Sequence, residues 1–124
     1  MPHVASAHER HVGSSIDDGH CVAFVREVTG LPPTSLWRRG DPVQGTSLAP
    51  GTAIATFDPG GTYGNHRDTR SHAAILHAVH DDGSITVFDQ WVGQPVQQRV
   101  IRNRGGAGGA ANDSSRFDAI EVET

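Results

Sequence analysis

Apolar residues recur at helical spacing once in this chain and at strand spacing several times after that. Val22, Phe24, Val25 and Val28 fall on one side of a helix expected from about Gly19 to Thr29. Asp17 or Asp18 can cap it, Gly30 fits the position after its last turn, and Pro32-Pro33 prevents its continuation. An irregular segment with Trp37 and the pair Arg38-Arg39 follows. Leu48-Ala49-Pro50-Gly51 is a turn signal leading into a strand from Thr52 to Phe57, and residues 58–65 form a glycine-rich loop. His72 to Val79 is apolar on both faces, as in the middle of a sheet. Asp81-Asp82-Gly83 then reads as a tight hairpin turn, and Ser84 to Asp89 as the returning strand. Val96 to Ile101 supplies a further strand. Arg104 to Asn112, dominated by Gly and Ala, reads as a flexible loop, and Phe117 to Val122 as a closing edge strand. One helix followed by four or five mostly antiparallel strands makes an α+β domain.

Composition narrows what such a domain can do. The 124 residues make one domain, 1–124, with a modest core, and residues 1–18 form a polar, histidine-containing N-terminal segment. Hydrophobic content is 35% and there are fifteen glycines, but the periodic segments mark a folded chain. A single cysteine excludes an internal disulfide framework and a cysteine-rich zinc site. The net charge of −4, without a basic run, argues against nucleic-acid binding. No stretch reads as a cleavable signal peptide or as a membrane span, so any export is expected to use another route.

The candidate chemistry centres on the lone thiol, Cys21, at the front of the expected helix. A helix N-terminus stabilises a thiolate, although a lone cysteine can equally be a small buried hydrophobe. The hairpin turn places His72 opposite positions 89–91, within reach of Asp89 if the register has the right parity. Asp89 shares a strand face with Ile85 and Val87, where an unpartnered carboxylate is costly. Cys, His and Asp are the parts of a cysteine hydrolase. Of the eight histidines, His72 and His77 are expected on opposite strand faces, and the rest form no compact ligand set. Neither a metal nor any other cofactor is expected. Trp91 fits the core or a substrate groove, and Gln90 is a candidate hydrogen-bond donor to a reaction intermediate. The Gly60 to Arg70 loop, with Tyr63, Asn65, His66, Arg67 and Arg70, is a candidate specificity loop or a solvated connector.

The segments Gly19-His20-Cys21-Val22-Ala23-Phe24-Val25, Ser71-His72-Ala73-Ala74-Ile75-Leu76 and Gly83-Ser84-Ile85-Thr86-Val87-Phe88-Asp89-Gln90-Trp91 resemble papain-like peptidoglycan hydrolases of the CHAP and NlpC types. Gly51 to Phe57 and the Asp89-Gln90-Trp91 ending resemble, more narrowly, small amidase toxins of bacterial type VI secretion. The resemblance implies a papain-like fold, with the catalytic helix packed on a four- to six-stranded, mostly antiparallel sheet. It implies Cys21 as nucleophile, His72 as base and Asp89 as the orienting acid. His20, where many relatives carry glutamine, and Gln90 become candidates for orientation or oxyanion binding. Tyr63, Arg67, Arg70 and Trp91 become candidates for substrate binding, the arginines through substrate carboxylates. The implied substrate is an amide of the peptidoglycan stem peptide, the implied site of action a target cell's periplasm, and the implied partners an immunity protein and a secretion-system component. Two other readings keep the same residues or fold. One is a cysteine hydrolase acting on proteins or small amides; the other is an inactive wall- or partner-binding module.

Overall fold

The computed structural model describes residues 3–5, 8–65 and 71–122. One helix, α1 (Cys21–Thr29), precedes six strands: β1 (Trp37–Pro42), β2 (Ala53–Thr56), β3 (Ala73–Val79), β4 (Ile85–Trp91), β5 (Gln94–Ile101) and β6 (Phe117–Val122). The strands form one sheet in the order β1-β6-β2-β3-β4-β5, every neighbouring pair antiparallel. The α+β architecture, with a helix on an antiparallel sheet, is as expected from the chain's periodicities.

Period-two alternation divides the core between the two faces of the sheet. Ala53, Ala55, Ala73, Ile75 and Phe88 turn toward α1 and bury Phe24 and Val25 with Trp37 and Ile120. Ile54, Ala74, Leu76, Ile85 and Val87 turn the other way and pack with Val43, Ile101 and Phe117. This explains why β3 reads as apolar throughout: it lies inside the sheet with both faces covered. The helix lies over β3 and β4, and its N-terminal residue is Cys21.

Three expectations change. The helix begins at Cys21 rather than Gly19, because Gly19 sits at φ 86° and its N–H closes a turn on Ile16 O at 3.0 Å. Its N-cap is therefore His20, with no side-chain cap; Asp18 instead accepts the His20 N–H at 3.0 Å, two residues too early to cap the helix. Phe117–Val122 is a strand but not an edge, since it runs between β1 and β2. Its outer neighbour β1 contains Arg38-Arg39-Gly40-Asp41-Pro42, residue types that hide a strand. The 104–112 loop is tied rather than loose. The buried carboxylate of Asp113 accepts the N–H groups of Arg104, Gly106 and Gly108 at 2.7–3.2 Å.

The N-terminal segment also takes part in the fold. Ala5 N–H donates to Gly51 O at 2.7 Å and Ala53 N–H to His3 O at 2.8 Å, while Gly13 N–H donates to Val96 O at 2.8 Å and Val96 N–H to Ser14 O at 2.9 Å. Gly51, at φ 94°, lies so close to Ala5 that a Cβ there would sit 2.6 Å from the Ala5 carbonyl oxygen. Among the described residues no helix is long and apolar enough to cross a membrane.

Candidate active site

Cys21 begins α1 directly over the start of β3. Its half-buried thiol meets the His72 ring, the Ala73 backbone N–H and the Tyr63 hydroxyl. His72 is the residue before β3, and its own N–H donates to Thr56 Oγ1 at 3.0 Å, which fixes the backbone from which the ring projects. On the far side of the ring, Nε2 lies 2.7 Å from Asp89 Oδ2. The hairpin produces that contact: Ile75↔Phe88 and Leu76↔Val87 are paired, so the chain just before β3 lies beside the end of β4.

These contacts shift the charges in a consistent direction. Burial pushes the Cys21 thiol up, but hydrogen bonds from His72, Ala73 and Tyr63 and the His72 charge outweigh it, and the pKa is lowered. Burial pulls His72 down, yet its bonds to Asp89 and Cys21 and their negative charges push it up to about 9. Burial raises Asp89, but His72 and Arg99 hold it below the usual carboxylate range. The arrangement favours thiolate, imidazolium and carboxylate in a row. A thiolate beside an imidazolium can attack a carbonyl, and the same imidazolium can protonate a leaving amine.

The supports around this row come from separate elements. Tyr63 is buried between Trp37, at 5.0 Å between ring centroids, and Phe57, at 6.2 Å. Burial and the Cys21 charge raise its own pKa, so its hydroxyl keeps its proton as a donor to sulfur. Gln90 is fully buried under the turn that precedes the helix. Its Oε1 accepts Ile16 N–H at 2.8 Å, and its amide donates to Ile16 O at 3.0 Å and His20 O at 2.8 Å.

The family model of domesticated amidase effector 2 matches residues 3–120. The chain belongs to that family. A domesticated amidase effector 2 from Ixodes scapularis is 38% identical over 113 residues, covering 86% of this chain and 74% of the relative. Among solved structures, a type 6 secretion amidase effector 2 superimposes with a TM-score of 0.80 at 26% identity, covering 97% of this chain and 95% of the other. The resemblance to small secretion amidase toxins and the papain-like expectation thus stand on both sequence and fold.

Within this family fold the expected residues fall into distinct groups. His72 and Asp89 meet as the hairpin register led one to expect, and the packing of α1 on the sheet brings Cys21 to the same ring. Both amide hydrogens of Gln90 are engaged on backbone carbonyls, so it has no donor left for an oxyanion. It holds the 16–20 turn instead. His20 contributes backbone, its carbonyl accepting from Gln90 and from Ala23 N–H. Trp91 is 40% exposed, with its ring edge-on to His72 at 6.3 Å, and so walls the site rather than filling the core. Tyr63, expected to touch substrate, is buried against the thiol. Arg67 and Arg70 lie outside the described residues. His72 and His77 are separated as expected, His77 packing edge-on against Phe88 at 5.4 Å. Among the described residues no group of three or more His, Cys, Asp or Glu side chains could hold a metal ion.

Two participants escaped the sequence reading. Arg99 donates to Asp89 from Nε at 2.8 Å. Ala73 supplies a backbone donor to the sulfur. Arg99 lies two residues from Gln97, the partner of Asp89 on β5, a register that no turn signal between β4 and β5 fixes in the sequence.

Proposed function

We propose that this amidase effector cleaves an amide bond of the peptidoglycan stem peptide, with Cys21 as nucleophile, His72 as general base and acid, and Asp89 as the orienting acid. The supporting observation is the single hydrogen-bonded row from the Cys21 sulfur through His72 to Asp89, with the thiol lowered and the imidazole pushed up to about 9. The thiolate adds to the scissile carbonyl carbon, and the electron pair of the C=O bond moves to oxygen. The developing oxyanion is bound by backbone N–H groups around Cys21 at the start of α1, other than that of Ala23, which is engaged on His20 O. His72 gives its proton to the leaving amine as the C–N bond breaks, leaving a thioester on Cys21. Water then attacks that thioester, giving one proton to His72. The acid departs, and the thiolate–imidazolium pair is restored.

The exposed Trp91 ring beside His72 and the groove lined by His20, Val22 and Asn65 are the surfaces offered to an extended peptide. Arg67 and Arg70 remain candidates for holding stem-peptide carboxylates. Delivery by a secretion system to a target periplasm, and neutralisation by an immunity protein, belong to the same reading.

The test is mass-spectrometric product analysis on defined muropeptides. Wild type is expected to release a new amine and acid from one stem-peptide bond. Cys21→Ala and His72→Ala are expected to release none while remaining folded at the assay temperature by circular dichroism, and Asp89→Asn to lose about 100-fold or more in kcat. Turnover by either of the first two variants overturns the mechanism. Cleavage of simple amides or proteins but not muropeptides overturns the substrate.

A further inference from the structure

Asp89 concentrates its contacts on one oxygen. Oδ2 meets His72 Nε2 at 2.7 Å, Arg99 Nε at 2.8 Å and Arg99 Nη2 at 2.7 Å. Oδ1 is equally buried and has no hydrogen-bond partner among the described residues. A carboxylate bonded only to histidine could rotate about its side-chain torsions and still satisfy that bond. With the Arg99 fork on the same oxygen it cannot, because two donors from different directions define where Oδ2 must lie.

Arg99 is itself fixed from three sides. Val87↔Arg99 and Asp89↔Gln97 are paired across β4 and β5, so Arg99 is the diagonal neighbour of Asp89 on the same face. Its Nη2 also donates to Ala111 O at 2.6 Å, and its guanidinium lies 5.1 Å from the centre of the Trp91 ring. Asp89 is fully buried and the Arg99 side chain is 17% exposed, so this pair is largely withdrawn from solvent screening. Arginine alone combines a permanent charge with a planar fork that can bond, bridge and stack at once.

We propose that Arg99 is the positioning residue of this site: it clamps Asp89 so that Oδ2 faces His72, and through Ala111 it makes the 104–112 loop part of the active-site support. The proposal rests on the reading of Cys21, His72 and Asp89 given above. Its electrostatic consequence has a definite sign. Removing a cation favours the protonated form of each neighbouring acid, so losing Arg99 moves the ionisation of the site to higher pH.

Two variants and two readouts test this. The rate of Cys21 alkylation by iodoacetamide as a function of pH needs no substrate and reports the thiolate directly. Hydrolysis of the muropeptide gives kcat and KM. Arg99→Gln is expected to move the acid limb of alkylation up by about half a pH unit or more, and to lower kcat about tenfold or more with KM within about twofold. Arg99→Lys keeps the charge without the fork. Its limb is expected to stay at the wild-type position while kcat falls about tenfold.

A wild-type limb together with wild-type kcat in Arg99→Gln overturns the proposal. So does a loss of kcat that only follows a lowered melting temperature with the limb unmoved. If Arg99→Gln does not fold, Arg99→Lys decides: a lowered kcat at an unmoved limb supports the clamp, and wild-type kcat overturns it. An ordinary thiol profile in the wild type would instead refute the underlying assignment of Cys21, a separable outcome.

Discussion

Cys21 is surrounded by donors of three kinds: a ring nitrogen, a backbone N–H and a phenol. The phenol is the unusual one. Tyr63 is held in the core by Trp37 and Phe57, so its hydroxyl reaches sulfur at little cost in side-chain entropy. Removing that hydroxyl leaves the packing intact and takes one stabilising bond from the thiolate. Tyr63→Phe is therefore expected to raise the pKa of Cys21 and to slow alkylation on the acid limb about tenfold, about 1.5 kcal/mol for one hydrogen bond to a charged group. Stopped-flow or quenched alkylation across pH 5–9 measures it, and an unchanged limb would assign Tyr63 to packing alone. Gln90 illustrates a different division of labour. It meets no reacting atom, yet its three backbone bonds fix the turn from which Cys21 emerges. A buried glutamine bonded only to backbone is a part of the frame.

Elements with strong periodicity were the ones legible in the sequence. β3 and β4 were readable because both are apolar and joined by the Asp81-Asp82-Gly83 turn, whose register carried the His72–Asp89 pairing with it. β1 was not, because Arg38-Arg39-Gly40-Asp41-Pro42 lacks an apolar face beyond Trp37 and its pairing with β6 is a long-range event. The 104–112 loop was misread for a related reason. Gly and Ala signal flexibility locally, but the acceptor that orders them, Asp113, lies after the glycines and acts through backbone N–H groups that no side-chain pattern reveals. Asp113 also accepts from Ser115 N–H at 3.1 Å and Ser115 Oγ at 2.7 Å. Asp113→Ala strands these donors, and a loss of about 2–4 kcal/mol is expected in urea unfolding. Because Ala111 holds Arg99, kcat is expected to fall as well at temperatures where the variant is fully folded. A variant destabilised to this extent but with wild-type kcat would mean that the loop supports the fold without supporting the site.

At the scale of the whole molecule, the loop and the site form one continuous chain of contacts: Asp113 orders the loop, Ala111 in the loop holds Arg99, and Arg99 meets Asp89 and so His72. Both carboxylates in this chain are held below the usual range. In Asp89 burial opposes the shift, and His72 and Arg99 outweigh it; in Asp113 burial is outweighed by hydrogen bonds from Ser115 and from backbone N–H groups. A carboxylate depressed in the folded state stabilises it above the unfolded pKa of about 4, and that contribution is lost as pH falls through the folded value. The unfolded chain takes up more protons over that interval, so stability rises with pH there. His72 acts in the opposite sense. Its folded pKa of about 9 stabilises the fold fully below about 6.5, and the contribution fades as pH climbs toward 9. The lowered Cys21 thiol offsets that fading, since its own contribution grows over the same alkaline interval. The melting temperature is therefore expected to change little from about pH 5 to 8 and to drop steeply below about pH 4. In Asp89→Asn the acid drop should be shallower, because one proton fewer is taken up on unfolding. Circular dichroism melts at half-unit intervals from pH 3 to 9 measure both curves. A wild-type melting temperature unchanged between pH 6 and 3 would remove the two buried carboxylates from the account of what holds site and loop together.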